Sequence, residues 1–251
     1  MDKVVETAAL AVADIPDGAA IAFGGFGLCG APIALINALE ERGITRLTTI
    51  ANNCGAGEEA LGVLLYAGRI RKTVSSFVGG NEELARQYLA GQLEVELIPQ
   101  GTLAERLRAA GVGVPAFFTP TGVGTLHADG GIPMRYAPGG EIAKVSAPRE
   151  VREFGGREYV LETALHADFA CVHGIAGDRH GNVVFEKSAG NFNLVAAMAA
   201  RTTIAEVERL VEPGELDPNV ISLPGIFVDR VVAVSSESKK IERRTTRQRS
   251  L

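Results

Sequence analysis

The sequence predicts an α/β protein with an open, mostly parallel sheet and helices on both faces. Short apolar runs alternate with amphipathic segments of helical length along the first half of the chain, and glycine is frequent, with 30 among 251 residues. Uninterrupted apolar runs are typical of parallel strands buried on both faces, and strands separated by helices build parallel sheets. The chain is also long enough to bury one large core without disulfides or metals.

The elements of the first half follow in order. Apolar positions at helical spacing predict a helix over residues 4–15, and Pro16-Asp17-Gly18 ends it before a buried strand over 19–23. A glycine loop over 24–30 then leads to a helix beginning near Pro32, a residue suited to a first helical turn. The predicted alternation continues with a helix to 41, a strand over 47–51, a helix over 58–66, a strand over 72–77, a helix over 82–89, a strand over 95–99 and a helix over 103–110.

The second half has a different pattern. Residues 120–141 are rich in glycine and proline and predict a long irregular segment. Gly155-Gly156 predicts the turn of a hairpin over 151–160. Further predicted elements are strands over 168–175 and 183–185 around a turn at 177–182, a helix over 194–200 and a strand over 203–207. We expect one domain over residues 1–238, followed by a basic tail over 239–251.

Composition and charge exclude several classes of protein. The formal net charge of −5 argues against a nucleic-acid-binding protein, which needs a clustered basic surface. Three cysteines, Cys29, Cys54 and Cys171, are an odd number without metal-site spacing, which argues against a disulfide scaffold. No apolar run is long enough to span a membrane, and acidic residues interrupt the first twenty positions, unlike a signal peptide. We therefore expect a soluble cytoplasmic protein, with Cys29 and Cys54 as small buried residues.

Three histidines fall seven residues apart, at His166, His173 and His180. A spacing of seven alternates faces on a strand, so these side chains cannot all converge there. We expect no metal site, and we expect His180 to belong to a turn over residues 178–182.

The glycine loop matches the spacing G-x-G-x-x-G at Gly25, Gly27 and Gly30, after a predicted strand and before a predicted helix. A dinucleotide site also needs an acid about 20 residues later, but residues 50–55 contain none. A nucleotide phosphate loop needs Lys and Ser/Thr where Ala31 and Pro32 stand. These absences leave a cradle for an anion or oxyanion, supported by the start of the helix, or a tight turn without a ligand.

Several stretches carry a resemblance to a known family. They are Gly24-Gly25-Phe26 with Gly30 and Pro32, Asn52-Asn53-Cys54-Gly55, Arg86-Gln87-Tyr88-Leu89-Ala90-Gly91, Pro99-Gln100-Gly101-Thr102-Leu103-Ala104-Glu105-Arg106 and Pro115-Ala116-Phe117-Phe118-Thr119-Pro120-Thr121-Gly122. Over residues 3–244 the chain resembles the first of the two subunits of family I coenzyme A transferases. The resemblance implies the α/β fold of that family.

The resemblance also implies a reaction and a partner. Such enzymes move coenzyme A between carboxylic acids through a glutamyl-CoA thioester, and the nucleophilic Glu lies in a Ser-Glu-Asn-Gly element of the second subunit. This chain lacks that element, and its nearest match, Ser236-Glu237-Ser238, precedes the basic tail. We therefore expect no catalytic nucleophile here, an obligatory second subunit in an A2B2 assembly, and acyl-CoA and short carboxylic acids as ligands. Coenzyme A is then a substrate, and no cofactor is permanently bound.

The share of this chain in the site is then recognition of the ligands. Asn52, Asn53 and Gln100 follow predicted strands, and similar positions in the family line the acid-binding pocket. A neutral amide can donate to a carboxylate without a full ion pair, although such residues also cap helices and fix turns. The resemblance assigns a coenzyme A-binding or oxyanion loop to Gly24, Gly25, Phe26, Gly27, Leu28, Cys29 and Gly30.

The sequence leaves several alternatives open. Related chains usually carry Arg where Gly190 stands and a less acidic residue where Glu186 stands, and this departure bears on CoA affinity. The resemblance favours succinyl-CoA and a 3-oxoacid such as acetoacetate as substrates, with 3-oxoadipate and acetate or butyrate enzymes as alternatives. A sugar-phosphate isomerase or a ligand-sensing module is a different class on a related fold. The basic tail is either solvated or docks on the second subunit.

Overall fold

The computed structural model describes residues 2–235, so the basic tail and Ser236-Glu237-Ser238 lie outside the described residues. The strands are β1 Ala20–Phe23, β2 Leu47–Ile50, β3 Ile70–Ser75, β4 Glu94–Leu97, β5 Ala116–Thr119, β6 Pro133–Tyr136, β7 Ile142–Val145, β8 Val151–Phe154, β9 Arg157–Thr163, β10 Ala167–Asp178, β11 Val183–Val184, β12 Ala200–Val211 and β13 Arg230–Ala233. The helices are α1 Ala8–Ala11, α2 Ile33–Glu41, α3 Leu61–Tyr66, α4 Glu82–Leu89, α5 Gln100–Gly111, α6 Leu126–Asp129 and α7 Asn193–Ala199.

The central sheet has the strand order β13-β12-β10-β1-β2-β3-β4, and neighbours along this path are parallel. Strand β11 pairs antiparallel with β10. A small antiparallel sheet, β5-β9-β8, and a two-stranded ribbon, β6-β7, complete the described sheets. The predicted fold class is confirmed.

Two apolar clusters cover opposite faces of the central sheet. Ile21 and Phe23 of β1 belong to one cluster, with α1 to α4, whereas Ala22 belongs to the other, with α5 and α7. Because neighbouring side chains of a strand point to opposite faces, this division places helices on both sides of the sheet. Within residues 2–235, none of the helices has the length and hydrophobicity that a bilayer crossing requires.

The first predicted helix is wrong over most of its length. Only Ala8–Ala11 is helical, with Thr7 accepting a hydrogen bond from Leu10 N. Val4 instead forms a parallel bridge with Val231, because β-branched residues favour extended backbone and β13 offers an open edge.

Other boundaries move for local reasons. Helix α3 begins at Leu61 rather than at 58, after Gly57 and Ala60 adopt φ values of 57° and 50° that a helix does not allow. The segment predicted as irregular contains α6 and β6. The predicted hairpin is confirmed as β8-β9, with φ of 60° and 79° at Gly155 and Gly156, as a two-residue turn with left-handed positions requires.

Candidate active site

The strand order reverses at β1, which lies between β2 and β10. In open parallel sheets, ligands bind outside the carboxyl ends of the strands at such a point. Ala22 of β1 is paired with Ile50 of β2, so Gly24 and Asn52 both lie two residues beyond this pair. The glycine loop and the asparagine pair therefore share one edge of the sheet.

Asn52 and Gln100 are in direct contact at this edge. Gln100 Nε2 donates to Asn52 Oδ1 at 2.7 Å, and the Ser76 hydroxyl lies 3.0 Å from the same oxygen. The Ser76 hydroxyl also lies 3.0 Å from Asn52 O and has a single proton for the two oxygens, so the Gln100 contact is the one that fixes the orientation of the Asn52 amide. Asn52 is only 3% exposed, yet no acceptor within residues 2–235 takes a hydrogen bond from its Nδ2. Two N–H donors thus remain for a ligand carboxylate.

Asn53 and Gln100 differ in how they are held. The Asn53 backbone forms a parallel bridge with Phe77, and its partly exposed side chain makes no hydrogen bond to another described residue. Gln100 is the exposed first residue of α5, directly after Pro99. None of the three predicted amide side chains caps a helix in the described structure, although Asn52 does tie the end of β2 to Ser76.

The backbone of the glycine loop is largely satisfied by the protein. Gly24 N donates to Cys171 O at 3.0 Å, and Gly25 N donates to Asn191 Oδ1 at 3.1 Å. Phe26 and Cys29 exchange backbone hydrogen bonds of 3.0 and 3.2 Å around Gly27-Leu28. Four of the seven loop amides therefore already have acceptors and cannot also cradle an anion.

The start of α2 is also occupied. Glu206 is fully buried, and its Oε2 accepts a hydrogen bond of 2.9 Å from Leu35 N in the first turn of α2. A carboxylate at this position compensates the positive end of the helix. The prediction that the helix start adds positive potential for a ligand is therefore corrected, because its anion is an internal glutamate.

A segment over residues 186–193 packs against the loop. Asn193 is fully buried; its Nδ2 donates to Gly30 O at 2.9 Å and its Oδ1 accepts from His173 N at 2.9 Å. A Cβ at Gly24 would lie 1.7 Å from Asn193 Oδ1, so this glycine is required by packing. Glu186 and Gly190, the two departures from the family pattern, belong to this segment.

The same region contains a triad of ionisable side chains, those of His173, Glu206 and Glu208. His173 Nδ1 lies 2.9 Å from Glu206 Oε1, and His173 Nε2 lies 3.1 Å from Glu208 Oε1. Burial lowers the pKa of His173, but hydrogen bonds and negative charge from both glutamates outweigh it and raise the pKa above the ordinary 6.5. The sequence analysis did not predict this triad. The available signal was a pair of acids two residues apart in strand β12, because buried acids need a polar partner in the core.

Two other histidines, His180 and His127, serve local structure. Asp178 Oδ1 accepts from both His180 N and Asn182 N at 2.9 Å, so His180 lies in the predicted turn. His127, in α6, contacts the buried carboxylate of Glu162 at 2.5 Å.

The three cysteines differ in solvent exposure. Cys54 and Cys171 are buried, whereas Cys29 is partly exposed and lies 3.3 Å from the Ser188 hydroxyl. The prediction that Cys29 is buried is thus wrong, because the loop turns its side chain towards the 186–193 segment at the surface. Burial raises the pKa of Cys54 to about 12 and raises that of Cys171 further.

This contrast predicts selective alkylation. At pH 8, iodoacetamide should modify Cys29 of the native chain and leave Cys54 and Cys171 unmodified until the protein unfolds, because only accessible thiolate reacts. Peptide mass spectrometry over a time course measures the three rates. A Cys29→Ser variant serves as control and should take up no label when folded. Labelling of Cys54 at the rate of Cys29 would contradict the described burial.

Comparison with known proteins decides the family. A protein-family model described as coenzyme A transferase matches residues 5–234. This chain belongs to the coenzyme A transferase family. A curated Mycobacterium tuberculosis protein, named as the A subunit of a probable succinyl-CoA:3-ketoacid coenzyme A transferase, is 61% identical over 248 residues, which are 99% of this chain and 100% of the relative.

Two longer proteins match this coenzyme A transferase chain over part of their length. The mouse mitochondrial succinyl-CoA:3-ketoacid coenzyme A transferase 2B is 50% identical over 94% of this chain and 46% of its own. An Escherichia coli O157:H7 acyl-CoA transferase, solved as the apoenzyme, shares the fold with a TM-score of 0.79 at 24% identity, over 93% of this chain and 47% of that one. The chain thus spans all of the mycobacterial relative and about half of the other two.

Proposed function

We propose that this chain is the first, non-nucleophilic subunit of a transferase that moves coenzyme A between succinyl-CoA and a 3-oxoacid such as acetoacetate. The observation that carries the proposal is the 61% identity to a relative that is named as one subunit of such an enzyme and is matched over its whole length. The contact between Asn52 and Gln100 supports it, because it leaves amide donors at the edge where a carboxylate would bind.

The proposed reaction divides the work between two chains. A glutamate carboxylate of the second subunit first attacks the thioester carbonyl and expels the CoA thiolate, which leaves an acyl glutamyl anhydride. The thiolate then attacks the glutamyl carbonyl, which releases succinate and forms glutamyl-CoA. Acetoacetate then attacks the glutamyl-CoA carbonyl, and the same two steps run in reverse. They yield acetoacetyl-CoA and the free glutamate. In this scheme the N–H groups of Asn52 orient the acid, and Gln100 holds the Asn52 amide in place.

The assembly and location belong to the same proposal. We place two copies of this chain with two copies of the second subunit, with coenzyme A as substrate and without a permanent cofactor. The mycobacterial relative is named as one subunit of its enzyme, which supports a further subunit here. Three unpaired cysteines favour a cytoplasmic site of action.

Replacing Gln100 by alanine tests the amide pair. In the complex with the second subunit, Gln100→Ala should lower kcat/KM for acetoacetate by about 10- to 100-fold, because the Asn52 amide loses the contact that orients it. Its hydrogen bonds to the charged acid, which contribute about 1.5–3 kcal/mol, then weaken. The matched control is Gln92→Ala, since Gln92 is exposed and precedes β4. An unchanged kcat/KM would show that Gln100 has only a structural role. A preference of the parent complex for 3-oxoadipate or butyrate over acetoacetate would show that the proposed substrate is wrong.

A further inference from the structure

A polar cavity in the described structure shares none of its lining residues with the proposed acid site at Asn52, Asn53 and Gln100. It has a volume of about 350 Å³ and lies between β4, β9 and the segment 146–150. Its apolar walls include Leu97, Met134 and Leu161, and two guanidinium groups, those of Arg106 and Arg149, also line it. Arg106 is six residues beyond Gln100 on α5, about 9 Å along the helix axis.

Arg106 has donors that the protein does not use. Its side chain is only 10% exposed, and its Nε donates to Thr163 O at 2.7 Å. Its Nη1 lies 3.6 Å from Glu96 Oε1, which is an ion pair but too long for a hydrogen bond. Neither terminal nitrogen donates a hydrogen bond to another residue within 2–235. A buried guanidinium ordinarily fills such donor positions.

Arg149 completes one side of the cavity. Its side chain is 18% exposed; Nη1 donates to His127 O at 2.5 Å, and Nε lies 3.2 Å from Glu162 Oε1. No described residue accepts a hydrogen bond from its Nη2. Both arginines therefore present terminal N–H groups to the cavity.

The charges around the cavity leave an excess of one cation. The ion pairs that connect to the cavity join four cations, Lys72, Lys144, Arg106 and Arg149, to three carboxylates, Glu94, Glu96 and Glu162. Glu150, which also lines the cavity, is paired with Arg152 at 2.5 Å. One small monoanion balances this set, whereas a dianion would exceed it.

We propose that this cavity binds a short-chain monocarboxylate, with its carboxylate on the terminal nitrogens of Arg106 and Arg149. Its alkyl chain would contact Leu97, Met134 and Leu161. Guanidinium groups suit the planar carboxylate, and the apolar walls favour an alkyl tail over an inorganic anion. The site does not depend on the proposed transferase reaction, because it shares no residue with the amide pair.

Filling the mouth of the cavity tests this site without disturbing its charges. Ala147 is exposed and lines the cavity, so Ala147→Phe occupies ligand space and keeps both arginines. Replacing Arg106 itself would leave Glu162 less compensated and risks unfolding. The matched control is Ala143→Phe, the same change at an exposed position of β7 outside the cavity.

Binding of butyrate to the full-length chain, measured by calorimetry, should be saturable. Ala147→Phe should weaken it at least tenfold, whereas Ala143→Phe and Gln100→Ala should leave it unchanged. Acetate should bind about fifteenfold more weakly than butyrate, since butyrate has two more methylenes and each buried methylene contributes about fourfold. Absence of saturable binding, loss of binding in Gln100→Ala alone, or displacement of butyrate by chloride or phosphate at equal concentration would each overturn the proposal.

Discussion

Replacing Glu206 by leucine should lower the free energy of unfolding by about 3–5 kcal/mol, the range found when one partner of a buried ion pair is removed. Glu206 is fully buried, with one oxygen on His173 and the other on Leu35 N. The variant leaves the buried His173 and a helix-end amide without this partner. Urea unfolding followed by circular dichroism measures the loss.

The loss should depend on pH. The folded-state pKa of His173 is raised above 6.5, so the stability that protonated His173 contributes is full below pH 6.5 and declines as pH rises through the raised pKa. Leucine at 206 removes the part of this contribution that comes from Glu206. The difference in unfolding free energy between parent and variant should therefore be larger at pH 6 than at pH 9.

Glu158 provides the matched control for this variant. It is an exposed residue of β9, and Glu158→Leu should change stability by no more than about 0.5 kcal/mol. A Glu206→Leu protein as stable as the Glu158→Leu protein, with no dependence on pH, would show that the triad does not hold the fold.

The second large effect concerns activity. Turnover of succinyl-CoA and acetoacetate by the purified chain alone should be roughly 10³-fold or more slower than turnover by the two-subunit complex, because the covalent route needs a nucleophile. Coproduction with a neighbouring subunit that carries Ser-Glu-Asn-Gly should restore turnover. Removing the residues after Ser238 from the coproduced chain tests separately whether the basic tail is needed for assembly with the second subunit. Full turnover by the isolated chain would contradict the division of work between the two chains.

Local patterns were sufficient for most of the central sheet. The run from β1 to α5 repeats short apolar strands and amphipathic helices, and each element is recognisable from its own residues. The hairpin β8-β9 was predictable because Gly155-Gly156 specifies its turn. Asn52 and Gln100 were predictable as residues at one edge of the sheet because parallel strands end on the same side, whereas their direct contact was not predicted.

The features that the sequence did not predict depend on contacts between residues far apart in the chain. The backbone pairing of Val4 with Val231 replaces a helix that local spacing favoured. The glycine loop is held by Asn191 and Asn193, which lie more than 160 residues later. Glu206 caps α2 across a separation of 171 residues. A local sequence pattern cannot predict contacts between residues this far apart. These contacts decide whether a glycine is required for ligand binding or for packing within the chain.

The location of the covalent intermediate tests the proposed role of this chain most directly. The two-subunit complex is incubated with succinyl-CoA, and both polypeptides are mapped by mass spectrometry. We predict a CoA thioester on a glutamate of the second subunit, with none on this chain. A CoA thioester on any carboxylate of this chain would contradict its role as the polypeptide that binds and orients the acid.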